Sequence, residues 1–282
     1  MENREVKSDV FSMLMEDKRY ALEVYNALND SDYDDPELVN MTTLKKGISL
    51  TIRNDASFIV DMDMNIYEHQ STYNPNMPLR SVIYFTDVLK PLLKDQDLFG
   101  RKLIKIPTPR FVVFYNGVED RPIIETLKLS DAFENKTKEP QLEVICTVYN
   151  INPGKNDDFL GKCSIMNQYT AFVEKVRDNQ RAEIENPIEE AIEWCKGNNV
   201  LKEFLTSRKE EVLKAMTLDM TWEHREEMIR RDERAEGREE GLLAGKEQQR
   251  RADEILIEAK DAEIADKDAR IAELEALLAE NK

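Results

Sequence analysis

The chain has 282 residues, room for one substantial α/β domain and an extension, since domains typically run about 100–200 residues. Its 57 acids against 40 lysines and arginines give a net charge of −17, which excludes the overall basic character of a dedicated nucleic-acid-binding domain. Three widely spaced cysteines without a CxxC pair argue against a disulfide framework and a zinc site, and no apolar run approaches the roughly 20 residues of a membrane span. The expectation is a cytoplasmic protein with no membrane partner. The charge is unevenly spread: residues 181–282 hold 28 acids and 18 bases, residues 1–180 hold 29 and 22, so a local basic groove in the first part is compatible with the total.

Asp9–Leu28 reads as two short amphipathic helical stretches, with Val10, Phe11, Leu14, Leu22, Tyr25 and Leu28 at helical spacing and Asp9 as a cap. The acidic stretch Asn29–Glu37 reads as a solvated loop. Short β-rich runs follow at Ile48–Ile52, Ala56–Val60 and Met64–Gln70, with Asp61–Asp63 as the turn between the last two. A helix is expected over Leu79–Leu93, with Pro78 in its first turn, and buried strands over Pro109–Gly117 and Gln141–Asn152. Helices over about Phe159–Glu185 and Ile188–Leu205 complete an α-β-β-β-α-β order with further helices behind it, an α/β layered domain.

The division expected is a domain over residues 1–205, a charged helical linker over 206–254 and a short coiled coil over 255–282. In the linker Gly237, Gly241 and Gly245 fall four apart. In the last part Ile257, Ile264, Ile271 and Leu278 share one heptad position, and Ala265, Ala272 and Ala279 share the next. A homo-oligomer formed through this seam is the expectation; a solvated single helix is the competing reading.

Metal-dependent phosphodiester hydrolysis needs hard oxygen ligands that hold a divalent cation against the scissile phosphate. Asp55 opens one strand of the expected hairpin and Glu68 lies near the far end of the other, about equally far from the turn. Side chains alternate along a strand, so Glu68 and Gln70 share a face and His69 points the other way, where packing suits it better than catalysis. Asp61 and Asp63 read as turn residues, or as neighbours of the metal should the hairpin be shorter. Arg80, in the first turn of the next helix, suits either a phosphate contact or a surface ion pair. Cys146, inside a β run, reads as buried and inert.

The text around this constellation, NDASFIVDMDMNIYEHQSTYNPNMPLRSVIYFTDVL, resembles the Rpn-type recombination-promoting nucleases and putative transposases, a branch of the PD-(D/E)XK superfamily. The likeness covers about residues 5–250, and EHQS…NPNMPLR is its most specific element. It implies a restriction-endonuclease-like core with a central mixed β-sheet flanked by helices. It further implies a DNA endonuclease acting in DNA recombination, with Asp55 and Glu68 as ligands of Mg²⁺ and Gln70 as the third site residue. Gln70 stands where most of that superfamily has Lys; an amide supplies hydrogen bonds but no charge, so a slower enzyme is expected, or a silent nuclease fold used as a binding module.

Overall fold

The computed structural model describes residues 10–42 and 54–217, and beyond them isolated positions between 234 and 267. Two compact units divide the chain, Met1–Glu223 and His224–Lys282. The first is α/β: a six-stranded mixed sheet flanked by helices. In the second, the described positions are helical and exposed; the heptad residues Ile257, Ile264, Ile271 and Leu278 lie outside the described residues, and so does the expected strand Ile48–Ile52.

The chain enters through helices α1 (Val10–Met15) and α2 (Lys18–Asn29). Asp17 caps α2 by accepting from the Arg19 N–H, and Asp30 ends it in a left-handed conformation. Strand β1 (Asn40–Met41) pairs with β2 (Ala56–Val60), which turns back into β3 (Asp63–Gln70). The turn holds two residues, Asp61 and Met62, both at positive φ (45° and 64°), as tight hairpins require. This corrects the expected three-residue turn, because Asp63 is already in the ladder opposite Val60. It accepts there from Arg110 and Tyr25, at the opposite end of the hairpin from Glu68.

Helix α3 (Met77–Leu93) carries the chain to β4 (Thr108–Tyr115), which pairs parallel with β3 from Asp63–Thr108 through Gln70–Tyr115. Strand β6 (Ile145–Asn150) runs parallel to β4 on its other side, and β5 (Ile124–Lys128) closes the edge antiparallel to β6, giving the order β1-β2-β3-β4-β6-β5. Strand β5 escapes sequence reading because an edge strand needs little apolar surface, and only Leu127 of its residues is buried.

The two expected helices after the sheet are four: α4 (Asp157–Lys162), α5 (Ser164–Arg181), α6 (Pro187–Gly197) and α7 (Lys202–Ser207). Cys163 breaks the first pair with an extended backbone, and Asn199 and Leu201 at positive φ break the second. Val212 and Met216 bury in the same core, so packing continues past residue 205.

Strand alternation divides the interior. One face presents Ala56, Phe58, Val60, Tyr67 and Phe114 to a large core shared with α1, α2 and α4–α7. The other presents Met64, Ile66, Val113, Tyr115 and Val148 to a smaller core shared with α3.

Candidate active site

Asp55 sits just before β2, Glu68 near the end of β3. The β2–β3 register pairs Ala56 with Tyr67, and one further step sets Asp55 opposite Glu68. Residues opposite each other in an antiparallel pair point to the same face. The two are also joined directly: the Asp55 N–H donates to Glu68 Oε1 at 3.2 Å, and Asp55 Oδ2 accepts from the His69 N–H at 2.7 Å. Thus the two acidic residues predicted as a pair are brought together at one end of the hairpin.

Glu68 is only 2% exposed, among the apolar residues of the α3 face. A lone carboxylate there would be costly, and a charge-assisted hydrogen bond offsets the cost: Arg80 Nη2 donates to Glu68 Oε2 at 2.7 Å. Arg80 also donates through Nε to the Tyr84 hydroxyl at 2.9 Å and lies over that ring. Burial works against charge on Arg80, but the field of Glu68 and the hydrogen bond to Tyr84 outweigh it and raise its pKa above the ordinary value. Burial, and then the Glu68 charge, push the Tyr84 phenol well above its usual range, so it stays protonated. The Arg80 ion pair is therefore a largely internal one rather than a surface pair, with Glu68 3% and Arg80 35% exposed at the side chain.

Gln70 is buried on the same face as Glu68, two residues on, and its Oε1 accepts from the Asn74 N–H at 3.3 Å. His69 points to the opposite face, as alternation requires. It stacks on Phe11 with centroids 5.7 Å apart, and its Nε2 lies 3.0 Å from both Asn116 Oδ1 and the Tyr169 hydroxyl. The ring pins β3 to α1 and α5 behind the acidic pair.

Sequence reasoning missed Tyr84, although Arg80 and Tyr84 stand four apart on one helix face, the spacing at which side chains meet. It also missed Gly117, where an added Cβ would fall 2.2 Å from the Ser71 carbonyl oxygen. The loop that follows Gln70 passes directly against the end of β4, and only glycine admits that approach.

Among the described residues no group of three or more His, Cys, Asp and Glu side chains gathers to hold a metal. Two carboxylates are nonetheless a sufficient protein contribution for Mg²⁺, which keeps several waters and takes one or two carboxylates. The donor set therefore fits Mg²⁺ and is too small and too hard for zinc. Among the described residues, surface grooves of about 300 and 650 Å³ are lined by residues of α1, α2 and α7 and by residues around α4–α6, respectively, and neither of these includes the acidic pair. Compared with protein-family models, curated proteins and solved structures, the chain matches none.

Proposed function

We propose that the chain is a Mg²⁺-dependent DNA endonuclease with a restriction-endonuclease-like core, of the Rpn-type recombination-promoting nuclease kind that its EHQS…NPNMPLR element resembles. The observation that carries this reading is the buried carboxylate Glu68 set opposite Asp55 by the β2–β3 register. Such a residue costs stability in an apolar face and is retained where chemistry needs it. Asp55 and Glu68 would hold the cation, which when bound polarises a phosphodiester and lowers the pKa of its water. The chain's own contributions are orientation and charge. The His69 N–H fixes Asp55, Arg80 orients Glu68, and Gln70 lies on the Glu68 face, where its amide can position a water or a phosphate oxygen but lends no charge.

A second reading, a catalytically silent nuclease fold serving as a binding module, is favoured by one specific observation. Both Glu68 oxygens, one Asp55 oxygen and the Gln70 carbonyl already accept hydrogen bonds from within the chain. Plasmid nicking with Mg²⁺ separates the two. The nuclease reading expects nicked product from the wild type, none with chelator, and none from Asp55→Ala. Identical traces for wild type and Asp55→Ala would remove it.

A further inference from the structure

The connection 94–107, between α3 and β4, is irregular throughout and at the length where structureless segments are uncommon and usually functional. It exposes large apolar side chains in succession: Leu98 is 61%, Phe99 101% and Leu103 82% exposed. Phe99 is held outward by construction. Asp97 Oδ1 accepts from the Phe99 N–H at 3.1 Å and the Asp97 carbonyl accepts from Gly100 at 3.2 Å. A Cβ on Gly100 would come 2.9 Å from the Asp97 carboxylate, so the turn is tight. Between and after these apolar groups lie Arg101, Lys102 and Lys105, all exposed, and no acid falls between residues 98 and 110 in a chain of net charge −17. An apolar strip rimmed by one sign of charge marks an interaction surface.

The same chain carries a complement. The loop after α2 exposes Asp32, Asp34, Asp35 and Glu37, with Leu38 47% exposed beside them. Both segments are tied to the β2–β3 turn by hydrogen bonds at one end. The Tyr33 hydroxyl donates to Asp61 Oδ2 at 2.8 Å, and the Thr108 N–H donates to the Met62 carbonyl at 2.8 Å. A two-fold pair in which the basic strip of each copy meets the acidic loop of the other has the self-complementary arrangement of an isologous interface. A second copy supplies both the acids and an exposed leucine, Leu38, to match the basic and apolar groups of the strip. We propose that residues 98–106 dock a second copy of this chain, apolar against apolar and basic strip against the 32–38 loop of that copy. The inference is independent of the nuclease reading, because the strip uses none of the site residues and leads into β4 at Thr108, which pairs with Asp63 at the end of β3 opposite Glu68.

The test uses full-length chains carrying Asp34→Cys or Lys102→Cys, mixed under mild oxidation; the native Cys146, Cys163 and Cys195 are buried and silent. The expected result is a cross-linked pair several-fold more abundant in the mixture than in either variant alone. Adding Phe99→Asp and Leu103→Asp to the Lys102→Cys chain should abolish it, and so should Arg101→Glu with Lys105→Glu. Combining that charge reversal with Asp32→Lys on the Asp34→Cys partner should restore it. Equal cross-linking in mixed and single samples overturns the proposal. So does a finding that Phe99→Asp instead removes binding to phosphatidylserine vesicles or to duplex DNA.

Discussion

The two faces of the sheet are built from the same strands yet do different work. Toward α1, α2 and α5 the strands present Phe58, Tyr67 and Phe114, and Phe114 lies within 5.5–6.3 Å, centroid to centroid, of Phe11, Tyr67, Tyr149 and Phe159. His69, the polar intruder on that face, is closed off by Asn116, Tyr169 and Phe11. Toward α3 the apolar patch is smaller and contains a buried carboxylate, its arginine and an amide. Polar groups of that kind confer less stability than well-packed hydrophobes of equal volume. The first face holds the domain together; the second carries the candidate chemistry at some cost to stability.

The largest effect that sharpens this contrast is on activity. Asp55→Asn removes a charge from the α3 face and should lower Mg²⁺-dependent nicking by more than about a hundredfold, since even outer partners of metal ligands contribute roughly 10–100-fold. Its urea midpoint should shift little, and unchanged nicking would break the comparison. Phe114→Ala should do the reverse, costing about 3–5 kcal/mol of stability. A midpoint within error of wild type would show that the aromatic cluster is not the main support.

Arg80→Met leaves Glu68 buried without its cation and should cost near the lower end of about 3–5 kcal/mol, because a side chain 35% exposed is partly screened by water. The double variant Arg80→Met/Glu68→Leu should regain wild-type stability to within about 1 kcal/mol while staying inactive. Failure to recover would show that the pair is structural.

A smaller effect concerns the thiols. Burial pushes Cys146 up to about 11, Cys163 to about 12 and Cys195 to about 11, from an ordinary value of 9.0. The folded chain thus keeps protons that the unfolded chain releases first. The contribution is intact below pH 9 and is lost as the pH climbs through about 11–12. Alkylation at pH 8 should label none of the three until denaturant is added; fast labelling of the native chain would contradict their burial. The smallest expected change is at the turn, where Met62→Gly should raise stability by about 1 kcal/mol, because a side chain at φ 64° is strained and glycine is not. A lower melting temperature would mean that Met62 makes contacts that offset its strain.

Much of this organisation was legible along the chain. Helices α1 and α2 follow from apolar spacing, β2 and β3 from β-rich runs, and the separation of His69 from Glu68 from period-two alternation. The expected turn Asp61–Asp63 would have set Asp55 opposite His69; the register that sets it opposite Glu68 came with the two-residue turn Asp61–Met62. Edge strand β5 was not legible, because an edge needs few apolar residues; nor were the breaks at Cys163 and Leu201, where packing bends a helical pattern.

What the sequence determined by itself was therefore local: which segments are helix or strand, and which side chains of a strand share a face. Those properties depend on neighbours within a few residues, where sterics and periodicity act. Only the tertiary structure decided that Glu68 is nearly sealed from water, that Arg80 is its ion-pair partner, and that Tyr33 and Thr108 both bond to the β2–β3 turn. Burial and pairing depend on which distant segments the fold brings together, and no local pattern records that.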